Sequence, residues 1–285
     1  MLKICYAEER DVDFKRWTGN LLRSFLATGR VAVVRQKERP DLMLASIWRR
    51  HKFPQGVPVV LASNENWQVY PPHFPLRRYQ AVIGVCPPPH YYWGDGPPGP
   101  LPFIQYPYEV VHFDEPLAAL YEQRIQRLQV PKLGFCCYVV SNTVGGMAER
   151  RAQVFQQVNA WHKVDSAGAQ LNNTGYRAPR GAAFLDWIAR YKFMICLENS
   201  QAPGYVTEKA LQASLAGAMP IYDGGGFALF NRDAVVDAAA PDFLAQLQRL
   251  DGDAGEYERR RQLDLYAQRP SLLDFEARFA QLLLG

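Results

Sequence analysis

The sequence has 285 residues, of which 48% are hydrophobic and 21% are charged, a composition typical of a globular protein with about two domains. The formal net charge of +4 is small and there is no long run of lysine or arginine, which argues against a nucleic-acid-binding protein. No apolar stretch approaches the roughly 20 residues of a membrane span, and the early charges at the N-terminus exclude a signal peptide.

The cysteines, at positions 5, 86, 136, 137 and 196, are odd in number and form no Cys-x-x-Cys or Cys/His pattern. The sequence therefore predicts buried thiols in a reducing compartment, with neither a disulfide framework nor a zinc site. We expect a cytoplasmic protein without a transmembrane segment. A weak peripheral contact with the inner membrane, through the tail at 257–284, stays open.

Strands and helices alternate along the first half of the chain. The pattern predicts strands over 2–7, 30–35, 41–46, 57–66 and 79–85, and helices over 13–29 and 117–129. A segment dense in proline and glycine, residues 86–107, separates the last of these strands from the second helix and predicts a long loop.

The second half repeats this alternation. It predicts strands over 133–140, 192–197 and 218–226, helices over 146–161, 181–191 and 207–217, and an amphipathic helical tail over 241–284. We therefore predict an α/β protein with mainly parallel sheets in two domains, 1–127 and 128–285, with the last helix free to pack back on the first domain.

Polar side chains follow three of the predicted strands. Ser63, Asn64, Glu65 and Asn66 follow one strand, Ser141 and Asn142 a second, and Glu198 and Asn199 a third. Ligands of open α/β sheets bind beyond the carboxyl ends of the strands, so this distribution predicts a site. The alternative is ordinary turn chemistry, because serine and asparagine favour strand exits in any case.

The stretch from Gly204 to Lys209 combines features of an anion site. Thr207 is placed to cap the following helix, and Lys209 and free backbone N–H groups would attract a diphosphate. Gly204 and the glycines at 224–226 would allow a ligand to approach the backbone closely. The alternative is a capped amphipathic helix whose lysine is simply solvated.

The sequence lacks the P-loop, the dinucleotide-binding G-x-G-x-x-G and the G-x-S-x-G of α/β hydrolases, and it has no clear Asp-x-Asp metal motif. An anion site in the second domain and the carboxylate of Glu65 in the first are the combination expected of an enzyme that transfers a group from a diphosphate donor. Glu65 would act as a general base on a hydroxyl, and cationic groups would stabilise a leaving diphosphate without a metal.

Several segments together resemble the α-1,3/4-fucosyltransferases of glycosyltransferase family 10, bacterial type. They are FCCYVVSN (135–142), ERRAQVF (149–155), VDSAGAQLNNTGY (164–176) and YKFMICLENSQAPGYVTEKALQASLAGAMPIYDGG (191–225). A weaker resemblance in the first half rests on LASNENW (61–67), YQAVIGV (79–85) and FIQYPY (103–108).

This resemblance implies a GT-B fold, in which two Rossmann-like domains face each other across a cleft. It implies inverting, metal-independent transfer of fucose from GDP-β-L-fucose to a sugar hydroxyl, with no cofactor. Glu65 would be the general base, Lys209 would hold the phosphates and Glu208 the ribose. By the resemblance, the residues that would bind the donor GDP-fucose are Ser141, Asn142, Arg150, Glu198, Asn199, Tyr205, Thr207, Glu208 and Lys209.

One departure from the family concerns the diphosphate. Some bacterial members carry an arginine where this chain has Leu171 to Thr174. Arg177, Arg180, Arg150 and Arg151 are the possible substitutes, and Arg150 is included among the donor residues above. Acceptor contacts are expected from Trp67, His73 and Tyr92, although these aromatic side chains could equally pack against their own domain.

The leading hypothesis is an α-1,3-fucosyltransferase that acts on N-acetylglucosamine or glucose units of a bacterial surface glycan such as lipopolysaccharide O-antigen. Its partners would be a nucleotide sugar and a glycan acceptor, with no nucleic acid. The alternatives are a GT-B transferase that uses another GDP-sugar and a non-catalytic member that binds glycans.

Overall fold

The computed structural model describes residues 1–8, 10–47, 53, 55–65, 76–87, 102–141 and 146–284. The chain divides into two compact units, the first formed by residues 1–114 and 271–285 and the second by 115–270. The helix at Leu117–Arg127 lies in the second unit, whereas the sequence places it in the first domain. Its Arg124 explains this placement, because the buried guanidinium donates to the carbonyls of Ser214, Arg261 and Leu263 in the second unit.

The first unit contains a six-stranded parallel sheet in its described part, with strand order β2-β1-β3-β4-β5-β6. The strands are β1 (Leu2–Tyr6), β2 (Val31–Val33), β3 (Leu42–Ala45), β4 (Val59–Ser63), β5 (Ala81–Gly84) and β6 (Phe103–Gln105). The helices of this unit are α1 (Val12–Leu21), α2 (Arg23–Ala27), α3 (Tyr108–Val111) and α10 (Leu273–Leu284).

The predicted helix over 13–29 is two helices, because the backbone leaves the helical region at Leu22 (φ −95°, ψ 9°). The side chain of Asp11 caps α1 by accepting a hydrogen bond from the backbone N–H of Phe14. Phe14, Trp17 and Leu21 follow at helical spacing and are buried. The ring of Trp17 stacks on that of Tyr106, and this contact joins α1 to the end of β6.

The second unit contains a five-stranded parallel sheet with the order β11-β10-β9-β7-β8. The strands are β7 (Gly134–Tyr138), β8 (Val164–Ser166), β9 (Tyr191–Leu197), β10 (Met219–Asp223) and β11 (Val236–Asp237). The helices are α4 (Leu117–Arg127), α5 (Ala148–Trp161), α6 (Ala182–Ile188), α7 (Lys209–Leu215), α8 (Phe243–Gly252) and α9 (Ala254–Arg261).

The central strands β7, β9 and β10 are apolar on both faces, as expected for a parallel sheet covered by helices on each side. Cys136, Cys137 and Cys196 are fully buried in these strands, and burial raises the pKa of each thiol. These three cysteines are therefore core side chains with little nucleophilic character.

In the second sheet, β7 is followed along the chain by β8 on one side and then by β9, β10 and β11 on the other side. The order of the parallel strands therefore changes side between β7 and β9, which is the topological switch point. In doubly wound sheets, a crevice opens beyond the carboxyl ends of the strands at this switch point. None of the helices described above has the length and apolar character required to cross a membrane.

Candidate functional site

A pocket of about 290 Å³, here called the switch-point pocket, lies where the order of the second sheet reverses. Residues at and after the ends of β7 and β9 form two of its sides, and α5, α6 and α7 contribute the others. It is lined by Tyr138, Val139, Val140, Ser141, Arg151, Phe184, Met194, Leu197, Asn199, Glu208, Lys209 and Gln212.

Glu198 is the first residue after β9, and its side chain has no solvent exposure. One carboxylate oxygen, Oε1, accepts from the backbone N–H of Thr207 at 2.8 Å. The other, Oε2, accepts from the Thr207 hydroxyl at 2.6 Å and lies 3.2 Å from the ammonium nitrogen of Lys209. Glu198 therefore connects the end of β9 to the segment that begins α7.

Lys209 reaches the pocket with an ammonium group that Glu198 and Thr207 hold in place. Its Nζ also donates to the Thr207 hydroxyl oxygen at 2.8 Å, and its side chain is 20% exposed. Burial disfavours the charge, but the carboxylates of Glu198 and Glu208 outweigh it and raise the pKa of Lys209 above its ordinary value. The lysine is therefore a fixed positive charge at neutral pH.

Two neighbouring arginines of α5 have different surroundings. Arg150 pairs with Asp223, with 3.0 Å between Nε and Oδ2, and its Nη2 donates to the carbonyl of Ala238. Arg151 lines the pocket, is 3% exposed, and donates from Nη1 to Oδ1 of Asn199 at 2.8 Å. Its Nε and Nη2 are buried and have no hydrogen-bond partner among the residues that the structure describes.

The hydroxyl of Tyr138, on the pocket wall, is also buried, and no partner for it occurs in the described parts of the chain. Burial raises the pKa of Tyr138 to about 12, although the positive charges of Arg151 and Lys209 oppose this increase. The hydroxyl therefore keeps its proton at neutral pH. With Nε and Nη2 of Arg151 and the ammonium of Lys209, it gives the pocket a set of donors suited to an anion.

The predicted donor residues divide into two groups. Ser141, Asn199, Glu208 and Lys209 line the pocket. Arg150, Glu198, Tyr205 and Thr207 are not among the lining residues. Arg150 pairs with Asp223, and Glu198 and Thr207, which are buried, hold Lys209. Asn142 lies outside the described residues.

The predicted cap of α7 differs from the structure, and two of the glycines after β10 pack closely against other parts of the chain. Helix α7 begins at Lys209 and Glu208 occupies the N-cap position, so the hydroxyl of Thr207 binds Glu198 and caps nothing. A Cβ at Gly225 would lie 1.9 Å from the carbonyl oxygen of Ala202, and one at Gly226 would lie 2.0 Å from a methyl of Val206. At Gly225 and Gly226, segments of the chain itself therefore occupy the position of a side chain.

The first unit has a pocket of about 250 Å³ of its own, at the ends of β3 and β4. Glu65 lines it together with Asn64, Trp17 and Tyr108. The N–H of Glu65 donates to Oγ of Ser63 at 3.1 Å, and the hydroxyl of Tyr106 donates to the Ser63 carbonyl at 3.0 Å. Trp67, His73 and Tyr92, the predicted acceptor residues, lie outside the described residues.

Within the described parts of the chain, no three histidine, cysteine or acidic side chains are grouped closely enough to hold a metal ion.

Comparison with known proteins relates the second unit to a protein family. Residues 130–259 match the model of "Glycosyltransferase family 10 (fucosyltransferase) C-term". An α-(1,3)-fucosyltransferase FucT from Helicobacter pylori is 37% identical over 93 residues, which are 33% of this chain and 18% of that protein. A human 4-galactosyl-N-acetylglucosaminide 3-alpha-L-fucosyltransferase, FUT6, is 33% identical over 135 residues, or 44% of this chain and 36% of the relative.

Solved structures extend the likeness to nearly the whole chain. An α1,3-fucosyltransferase with GDP-fucose superposes with a TM-score of 0.68 at 22% identity and covers 99% of this chain and 89% of its own. An α-glucosyltransferase in complex with UDP and DNA gives a TM-score of 0.61 at 10% identity, with 98% of each chain covered.

The two parallel α/β sheets and these structural matches define a glycosyltransferase-type fold of the GT-B class, which confirms the predicted fold class. The site lies in the matched C-terminal segment. Residues 130–259 of this chain match glycosyltransferase family 10, the fucosyltransferases, which is the family that the resemblance predicted. The chain aligns with about a fifth to a third of the length of the two curated relatives above.

Proposed function

We propose that this chain transfers L-fucose from GDP-β-L-fucose to a hydroxyl of a glycan acceptor, with inversion and without a metal. The proposed product has an α-1,3 linkage to an N-acetylglucosamine or glucose unit of a bacterial surface glycan. The match to the family model, the names of the curated relatives and the likeness to a fucosyltransferase structure with GDP-fucose support this proposal.

One observation carries the donor half of the proposal. The switch-point pocket lies in the family-matched segment. It contains a lysine held in its charged form, beside buried donors that have no partner within the described ranges of the chain. Buried polar groups in folded proteins are almost always paired, so this set of donors is suited to a ligand with acceptor oxygens. A diphosphate supplies several such oxygens and the negative charge that Lys209 complements.

Glu65 is proposed as the general base of the first unit. It would take the proton of the acceptor hydroxyl while that oxygen bonds to C1 of fucose and the bond from C1 to the diphosphate oxygen breaks. Attack on the face opposite the leaving group converts the β linkage of the donor into an α linkage. The negative charge that develops on GDP would be stabilised by the ammonium of Lys209.

The donor assignment is tested by thermal shift with GDP, GDP-fucose, GDP-mannose and UDP. We expect GDP and GDP-fucose to raise the melting temperature and UDP to have little effect. A shift with UDP and none with GDP would make the donor assignment wrong. A preference for GDP-mannose over GDP-fucose would indicate the alternative donor sugar.

Catalysis is tested with Glu65→Gln, using GDP-fucose and an acceptor-glycan array. We expect transfer to fall by at least about a hundredfold, the range of lost general-base catalysis, while GDP affinity stays within about twofold. Glu38→Gln, an exposed carboxylate of the same unit, is the matched control and should keep full activity. If Glu65→Gln keeps most of its activity, Glu65 is not the base. Activity that EDTA abolishes and Mg²⁺ restores would refute metal independence.

A further inference from the structure

We infer that Tyr106 is a positioning residue for Glu65 and that it acts through Ser63 at the end of β4. This inference rests on the proposed function, because it concerns the carboxylate proposed there as the general base. Tyr106 is not among the residues that line the pocket of Glu65, so its role would be to hold the backbone from which the carboxylate extends.

Tyr106 connects the carboxyl ends of three neighbouring strands. Ser63, Gly84 and Gln105 lie in register across β4, β5 and β6, and Tyr106 is the first residue after β6. Its backbone N–H donates to the carbonyl of Gly84 at 3.2 Å, and its hydroxyl donates to the carbonyl of Ser63 at 3.0 Å. The side chain therefore spans β5 and holds the last residue of β4.

A second hydrogen bond continues from Ser63 to Glu65. The buried Oγ of Ser63 accepts from the backbone N–H of Glu65 at 3.1 Å, so the carbonyl and the hydroxyl of this serine both have partners. A general base must lie within hydrogen-bond reach of the proton that it takes, and its supporting contacts set that distance. The path from Tyr106 through Ser63 supplies such support to the backbone of Glu65.

Aromatic packing restricts the ring of Tyr106. The ring is buried and stacks on that of Trp17, with 5.7 Å between centroids and 12° between planes. Phe275 of α10 meets it edge-on at 6.3 Å. Because these contacts fix the ring, the hydroxyl is held against the carbonyl of Ser63. Trp17 also lines the pocket that contains Glu65, so the packing and the hydrogen bonds lead to the same site.

The test measures kcat and KM for Tyr106→Phe, with GDP-fucose as donor and N-acetyllactosamine or lactose as acceptor. The substitution keeps the ring and removes the hydrogen bond to Ser63. We expect kcat to fall about 10-fold, which is less than the roughly hundredfold cost of misplacing a reacting group by about 1 Å. The KM for GDP-fucose should stay within about twofold, because the proposed donor pocket lies in the second unit.

Tyr257→Phe is the matched control. The buried hydroxyl of Tyr257 donates to the carbonyl of Lys192 at 2.9 Å, so this variant loses the same kind of hydrogen bond in the second unit. Lys192 lies near the start of β9, at the end of the strand away from the switch-point pocket. The kcat of Tyr257→Phe should stay within about twofold of wild type. A loss equal to that of Tyr106→Phe would mean that any missing tyrosine hydroxyl slows transfer, and would overturn the inference.

The Glu65→Gln background separates positioning from a purely structural role. No carboxylate remains there to be positioned, so Tyr106→Phe should change the residual kcat by less than about twofold. The same loss of kcat in both backgrounds would show that Tyr106 acts independently of Glu65.

The outcomes distinguish this inference from the function on which it rests. Wild-type protein that transfers fucose to neither acceptor, or a Glu65→Gln variant that keeps most of its activity, would overturn the proposed function. A loss of activity in Glu65→Gln together with wild-type kcat in Tyr106→Phe would overturn only the role of Tyr106.

If Tyr106→Phe does not fold, Ser63→Ala decides, because it removes the acceptor of the Glu65 N–H and keeps the ring of Tyr106 in place. A lower kcat that disappears in the Glu65→Gln background supports the path through Ser63, and an unchanged kcat refutes it.

Discussion

Glu198 shows how a buried carboxylate can serve a site without lining it. The sequence placed Glu198 in the donor site. In the structure its carboxylate is buried outside the pocket lining, where it accepts hydrogen bonds from Thr207 and pairs with Lys209. A buried charge is tolerated only when it is paired and hydrogen-bonded. Glu198 and the hydroxyl of Thr207 therefore hold the ammonium of Lys209 in place and favour its charged form.

Removing the charge of Glu198 should be strongly destabilising. Glu198→Gln leaves Lys209 without its nearest counter-charge, and we expect the free energy of unfolding to fall by about 3 kcal/mol, the range for one broken partner of a buried pair. Urea titration measures this change. Glu256→Gln disrupts an exposed pair with Arg259 and should change the free energy of unfolding far less, because solvent screens the two charges. Equal losses in the two variants would contradict the structural role of Glu198.

The ion pair between Glu198 and Lys209 predicts that the free energy of unfolding decreases at alkaline pH. The pKa of Lys209 is raised in the folded protein, so its stabilisation is complete below the unfolded value of about 10.4 and is lost as pH rises through the higher folded value. The difference in unfolding free energy between wild type and Glu198→Gln should stay constant from pH 7 to about pH 9 and decrease above about pH 10.5. A decrease that begins near pH 8 would contradict the raised pKa.

At the scale of elements, the glycines after β10 connect this strand to the segment that carries Lys209. A Cβ at Gly224 would lie 2.5 Å from Cγ of Glu198, and those at Gly225 and Gly226 would overlap Ala202 and Val206. The chain after β10 and the chain before α7 therefore pack more closely than any residue with a side chain allows.

Gly225→Ala should disturb this packing and the site together. The clash is with a backbone carbonyl, so a rotamer change cannot relieve it, and we expect the unfolding free energy to fall by about 2 kcal/mol or more and GDP binding to weaken. Gly252→Ala at the end of α8 is the control, because no atom lies within 4 Å of its added Cβ. A Gly225→Ala protein as stable as wild type would show that the contact is easily relaxed.

At the scale of the molecule, the chain returns to its first unit after completing the second. Helix α10 supplies Phe275 and Phe279, whose rings contact Tyr106 and Phe25 respectively. The sequence left this packing open, because an amphipathic helix shows which face is buried without showing against which partner.

Phe279→Ala should therefore destabilise the first unit and spare the nucleotide site. Phe279 is fully buried, and truncation of such a ring costs about 3–5 kcal/mol. GDP affinity at 25 °C should remain within about twofold, because the switch-point pocket lies wholly in the second unit. Leu273→Ala, at an exposed position of the same helix, should change stability by less than about 0.5 kcal/mol. Loss of GDP binding in Phe279→Ala would contradict this separation.

Much of the architecture could be predicted from local pattern. Alternation of apolar strands with amphipathic helices predicted parallel sheets in two units, and the polar residues after β4, β7 and β9 marked the edge where pockets occur. Element ends were less predictable. The break at Leu22 and the start of α7 at Lys209 depend on packing and on the Glu198 contacts, which propensity does not encode.

The sequence by itself predicted most of the strands and helices, the resemblance to the fucosyltransferases and the positions of Glu65, Asn199 and Lys209 at strand and helix ends, because these follow from periodicity and motifs along the chain. It did not predict the short strands β6, β8 and β11. Only the tertiary structure decided which of the two adjacent arginines, Arg150 or Arg151, lines the switch-point pocket. Successive residues of a helix point about 100° apart, so two adjacent arginines necessarily face different surroundings. The packing of α5 against β7 and β9 turns Arg151 into the pocket and Arg150 toward Asp223.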